Sequence, residues 1–98
     1  MAAAFQYARG SFEGTGALIT IDKERVGFKP SVVKLVNISD PADATWQEGM
    51  GDDAIYSSDD ADTAFATSGG IIPTATGFSL GTHAINTSGE RIFFEAWG

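Results

Sequence analysis

The chain has no cysteine. Disulfide staples and cysteine-based zinc sites are therefore excluded, and cysteine usage says nothing about redox compartment. Basic residues are scarce. Arg9, Lys23, Arg25, Lys29, Lys34 and Arg91 stand against thirteen acids, for a net charge of −7. Such a chain lacks the basic footprint that binds nucleic-acid backbones, so no nucleic-acid partner is expected. No apolar run approaches the ~20 residues that span a bilayer, so no membrane partner is expected either. The first residues, Met1-Ala2-Ala3-Ala4-Phe5, are apolar. No basic stretch precedes them, and the polar residues Gln6, Arg9 and Glu13 come directly after, which is not the pattern of a secretory signal. Sustained helical periodicity is also missing, and Pro41 to Met50 is the best helical candidate.

What is present is glycine and aromatic residues. Twelve glycines, three prolines and 11% aromatics suit short strands joined by tight turns. Ninety-eight residues make one domain, 1–98, with residues 1–5 as an N-terminal arm able to reach a neighbouring subunit. A chain of this size buries about 60–65% of its extended surface, so assembly with copies of itself would add stability. The largest hydrophobic payload is Arg91 to Trp97, where Ile92, Phe94 and Ala96 alternate with Phe93, Glu95 and Trp97 at the period of a strand. Val32, Val33, Leu35, Val36 and Ile38 are apolar on both faces of Ser31 to Ile38. That predicts a central strand buried on both sides, facing the C-terminal strand across the core. Phe5 to Phe12, Ala17 to Ile21, Ala54 to Tyr56, Thr63 to Thr67, Ile71-Ile72 and Phe78 to Leu80 read as further strands. Asp22 to Arg25 and Asn37 to Pro41 read as turns, and Asn86 to Gly89 as a hairpin-like turn. Turn signals recur at the roughly 8–12-residue spacing of a sandwich or barrel. The expected fold is all-β, a compact antiparallel β-sandwich or small β-barrel of short strands.

Residues able to carry chemistry are few. Asp40, Asp43, Glu48, Asp52, Asp53, Asp59, Asp60 and Asp62 fall in one stretch without a Lys or Arg. Clustered oxygens suit calcium, but the EF-hand spacing is absent and Asp is common in turns, so a solvated acidic face is the simpler reading. His83 is the only histidine, and no nucleophile-elbow pattern surrounds a serine. Glu48 with Asp52 could mimic a glycosidase acid and base, but a chain this small leaves little room for a cleft. Trp46, Tyr56 and Trp97 could form a sugar-binding platform; the simpler reading puts Trp97 in the core and Trp46 over a sheet edge or subunit interface. Asn37-Ile38-Ser39 and Asn86-Thr87-Ser88 match the glycosylation acceptor pattern by chance. Gly14-Thr15-Gly16 and Gly69-Gly70 lack the lysine and helix of a phosphate loop. No catalytic residue, cofactor-binding residue, cofactor or metal site is expected, and the chain does not read as an enzyme.

Several pieces in order resemble a family. They are Gly14-Thr15-Gly16 before an Ile/Thr strand; Gly27-Phe28-Lys29-Pro30 with Val33 and Val36-Asn37; Trp46 with Glu48-Gly49-Met50; Thr67-Ser68-Gly69-Gly70-Ile71; Gly77-Phe78-Ser79-Leu80-Gly81; and Asn86 with Ser88-Gly89-Glu90 leading to Phe94-Glu95-Ala96-Trp97. From about Phe5 to the end the chain resembles small structural virion proteins of tailed bacteriophages, of the decoration or fibre type. The resemblance implies a β-sandwich-like fold and work by binding, and it brings no site residues with it. It implies a capsid decoration (cement) protein at the virion surface, made in the host cytoplasm. The expected partners are the major capsid protein and copies of itself, a trimer being natural. The alternative is a tail or head fibre module binding a host-surface glycan.

Overall fold

The computed structural model describes residues 6–22, 24–39, 41–59 and 63–98. Phe5 and the rest of the proposed N-terminal arm, 1–5, lie outside them, as do Lys23, Asp40, Asp60 and Asp62. Among the described residues eight strands run β1 Tyr7–Glu13, β2 Ile19–Ile21, β3 Val32–Asn37, β4 Ala42–Gln47, β5 Ala54–Asp59, β6 Thr63–Pro73, β7 Phe78–Leu80 and β8 Arg91–Trp97. All pairings are antiparallel, in the order β1-β8-β3-β4-β5-β6-β7-β2. The all-β expectation holds, and its form is one sheet curled into a half-barrel. β7 and β8 are far apart in that order, yet the Phe78 and Phe94 rings meet edge to face with centroids 5.6 Å apart. Only a curled sheet brings them together.

Strand parity decides what is buried. On β8, Ile92, Phe94 and Ala96 point inward while Arg91, Phe93 and Glu95 are exposed. The ladders carry this parity into the neighbours: Gly10, Phe94, Leu35 and Ala44 share one inner row, and Ala8, Ala96, Val33 and Trp46 share the next. Phe12, Ile21, Phe28, Ala54, Ile55, Ile71, Phe78, Leu80 and Ile85 complete the core.

Several expectations need correction. β3 is a hydrogen-bonded neighbour of β8, not its partner across the core. Its outer side is not buried either, since Lys34 and Val36 are exposed. Residues 42–47 form β4 and not a helix, because Ala42, Ala44 and Trp46 alternate with Asp43, Thr45 and Gln47. On β1, where Phe5, Tyr7 and Phe12 read from the sequence as one apolar side of the strand, Tyr7 and Phe12 lie on opposite faces, as residues of odd and even number on one strand must. Residues 86–89 form a turn but not a hairpin, because β7 and β8 do not pair.

That last segment belongs to a loop, 81–90, which crosses one end of the sheet and is laced to the loop 14–18. The Gly14 N–H donates to Glu90 O at 2.8 Å, and the Gly16 N–H donates to Asn86 O at 3.0 Å. Asn86 is buried at the crossing. Its amide donates to Ala17 O and Gly81 O, each at 2.8 Å, and its carbonyl accepts the Thr15 N–H at 2.9 Å. A strap, residues 24–31, closes the side between β1 and β7. Arg25 Nη2 donates to Ser11 O at 2.6 Å, Gly27 N to Thr76 O at 2.9 Å and Ser31 N to Trp97 O at 2.7 Å, while Phe28 enters the core.

β6 is one long strand where the sequence suggested two. The β5–β6 register slips between Ala54 and Ile55, so Thr67 to Gly70 bulge out of the ladder. Gly70 is required there. A Cβ would collide with the Ala54 carbonyl oxygen. The bulge carbonyls instead take the crossing loop, through Gly81 N to Gly70 O and His83 N to Gly69 O, both 2.9 Å.

Candidate docking face

The same parity that fills the half-barrel populates its outer face. Across β1, β8, β3, β4 and β5, one outer row runs Ser11, Phe93, Val36, Asp43, Ser58. The next row runs Arg9, Glu95, Lys34, Thr45, Tyr56 and continues to Phe65 on β6. Exposed large hydrophobics concentrate here: Val36 at 43%, Phe93 at 45%, Tyr56 at 48% and Phe65 at 53%, with Ile38 at 61% just past β3. An aqueous sheet face normally shows polar side chains at such positions; here Phe93 with Val36, and Tyr56 with Phe65, form two apolar pairs parted by Asp43 and Thr45 on β4, which makes this face a candidate contact surface. A groove of about 520 Å³ lies over β1, β8 and β3, lined by Arg9, Gly10, Lys34, Val36, Phe93 and Phe94 among others. A second hollow, of about 450 Å³, continues past Val36 to Ile38 and Pro41.

The charges on this face are arranged around that apolar centre. Glu95 sits between Arg9 and Lys34 in the ladder. Its carboxylate accepts the Tyr7 hydroxyl at 2.6 Å, and that bond holds the hydroxyl protonated above its ordinary range. Tyr7 also stacks obliquely on Trp97, with centroids 5.4 Å apart. Among the described residues, no ion pair joins Arg9, Lys34 or Arg91 to an acid.

The sequence candidates scatter. Trp46 is buried at 3% exposure, its Nε1 donating to Gly51 O at 2.8 Å. Trp97 is half-buried on the outer side with Tyr7, and Tyr56 is three strands away on β5. The two tryptophans thus exchange the environments expected of them, and no Trp46–Tyr56–Trp97 platform exists. Parity explains this, because Trp97 must lie opposite Ala96 and Phe94. Among the described residues no three metal-ligating side chains come together. Asp43 stands on the outer face, and Glu48, Asp52 and Asp53 line the β4–β5 turn. Asp40, Asp60 and Asp62, like the Asp59 side chain, are outside the described set.

His83 does meet a serine. Its Nδ1 accepts the Ile85 N–H at 3.1 Å, which leaves the proton on Nε2, 3.2 Å from Ser57 Oγ. The imidazole therefore donates to the serine and does not draw a proton from it, the reverse of a nucleophile's base. Burial pushes the His83 pKa down. The crevice beside it, between Asn37, Ser57 and Ile85, holds about 60 Å³, too little for a substrate.

Two buried amides carry structural work that their sequence context does not announce. Asn37 bridges Ile85 O and Glu90 Oε1 through Nδ2, at 3.2 and 2.8 Å, while its Oδ1 accepts the Ser39 N–H at 3.0 Å. Asn86 laces the crossing loops. Both begin acceptor-like tripeptides, a pattern that points to glycosylation and not to buried hydrogen bonding. Comparison with protein families, with curated proteins and with solved structures finds no match to this chain.

Proposed function

We propose that this chain is a structural binding protein of a tailed-bacteriophage particle, a capsid decoration protein that stabilises the major capsid shell. The observation that carries the reading is the outer face. A half-barrel that has already filled its interior still presents Phe93, Val36, Tyr56 and Phe65 to solvent, beside Arg9 and Lys34, which have no ion-pair partner among the described residues. Apolar and aromatic side chains ringed by charge are what protein interfaces are built from. The residues behind the family resemblance support it from another side. They include the strap at Gly27 to Pro30, the bulge at Thr67 to Gly70 and the crossing loops at Gly14 to Gly16 and Asn86 to Glu90, beside stretches of β3, β4, β7 and β8. Its partners are then the major capsid protein and copies of itself, and its place is the capsid surface of the virion. The glycan-binding alternative drew on Trp46 beside Tyr56, and the burial of Trp46 leaves it without an observation in its favour.

The test is reconstitution. Purified chain added to expanded heads lacking it should bind in hundreds of copies and raise their resistance to heat. Heads that take up none, or that gain no resistance, would end the decoration reading. A Tyr56→Ser/Phe65→Ser double variant should fold normally and bind heads less well.

A further inference from the structure

We propose that two copies of this chain pack their outer faces together across a two-fold axis running over Ser11, Phe93 and Val36. The proposal rests on reading the outer face as a contact surface, though not on the identity of any particle; it gives Phe93 and Val36, on β8 and β3, to the second copy and leaves Tyr56 and Phe65, on β5 and β6, to the particle. Ladder register places those three residues in one row across β1, β8 and β3. On one side of that row lie Arg9 and Glu95; on the other lie Glu13 and Arg91. A half-turn about the row exchanges the two sides. Arg9 then stands over Glu13 of the second copy, and Glu95 over Arg91 of the second copy, each pairing occurring twice. Phe93 and Val36 meet their own counterparts at the centre, where the groove of about 520 Å³ receives the second copy's ring.

This is the self-complementarity that an isologous contact demands. It has an apolar centre and a charged rim, and it stacks two sheets at the ordinary face-to-face spacing of about 10 Å. Lys34 lies over Ile38 of the second copy, with its alkyl stem on the apolar surface. The one like-charge meeting, Asp43 with its counterpart, has Lys34 of each copy diagonal to it. The contact strands are themselves neutral, Arg9, Lys34 and Arg91 balancing Glu13, Asp43 and Glu95, so the net charge of −7 lies outside the contact.

The experiment is sedimentation equilibrium across micromolar to millimolar chain concentrations. Wild type should approach twice the chain mass. Arg9→Glu and Glu13→Arg should each weaken association roughly tenfold or more, because each sets like charges against each other. An equimolar mixture of the two variants should associate again, since every rim position then meets its opposite. Within one chain, residues 9 and 13 are about 13 Å apart along the strand, so rescue by mixing reports a contact between copies. Circular dichroism and melting confirm that each variant folds; if one does not, rising salt must dissociate the wild-type dimer. Wild type that stays at the mass of one copy, a mixture no heavier than its components, or a dimer indifferent to salt and to Phe93→Ser would each overturn the proposal. Loss of head binding with the dimer intact would sink the decoration reading alone.

Discussion

Replacing Asn86 with aspartate keeps the size of the side chain and inverts half of its hydrogen bonding. The amide nitrogen now donates to Ala17 O and Gly81 O at 2.8 Å each, at a site 2% exposed. An oxygen in its place faces two carbonyl oxygens. Each lost bond removes about 1 kcal/mol, and the Gly81 carbonyl left buried without a donor costs about 1–3 kcal/mol more, whereas Ala17 O keeps the Thr15 hydroxyl at 2.8 Å. The Thr15 N–H keeps its acceptor. The net expectation is about 3–5 kcal/mol of destabilisation, a large part of the roughly 5–15 kcal/mol that holds a domain together. Urea unfolding followed by tryptophan fluorescence measures it. The loss should deepen between about pH 4 and neutrality. The introduced carboxyl has its folded pKa raised by burial, so the folded state binds the proton more tightly, and stability falls as pH rises from the unfolded value of about 3.9. A loss under about 1 kcal/mol, or one that does not vary with pH, would refute the role given to Asn86 as the lace between the crossing loops.

Phe94→Ala should cost about 3–5 kcal/mol because the ring packs on Phe78 and Phe12 in the core, whereas Phe93→Ala on the outer side should cost under about 1 kcal/mol at dilute concentration; equal losses in urea melts would contradict the parity assignment. For His83, burial lowers the folded pKa, so its contribution to stability is fully present above the unfolded value of about 6.5 and is lost as pH falls through the lower folded value. Melting temperatures should drop on acidification over that window, and His83→Gln should flatten that component; an unchanged pH profile would count against it. Asp53 holds a backbone φ of 73° that favours glycine, so Asp53→Gly should leave stability unchanged or raise it by up to about 1 kcal/mol in thermal melts. A clear loss would mean the Asp53 side chain holds the β4–β5 turn.

How much of this was legible in the sequence depends on whether the signal was local. β8 was readable outright, because Ile92, Phe94 and Ala96 alternate with charged and aromatic residues over its full length. β3 was misread for a physical reason. Val32 and Val36 are apolar but face outward, and period alone does not separate a strand buried on both sides from one that leaves apolar residues on its outer side. β4 looked helical because its inward residues, Ala42 and Ala44, are small and give little hydrophobic contrast. Trp97 was misplaced against the alternation of its own strand, which sets it opposite Phe94 and Ala96, whereas the side Trp46 takes depends on pairing with Val33, which is not local. β6 looked like two strands because its bulge removes four residues from the ladder. The candidate docking face became visible only when register put Ser11, Phe93 and Val36 in one row.

Oxidative footprinting of the outer aromatic side chains, on dilute free chain and on chain bound to heads, tests the central claim most directly. Leu18, 64% exposed and outside the outer rows, is the internal control. The account predicts that Tyr56 and Phe65 lose reactivity on the particle while Leu18 keeps its own. Protection of Leu18 with Tyr56 and Phe65 unchanged would contradict it.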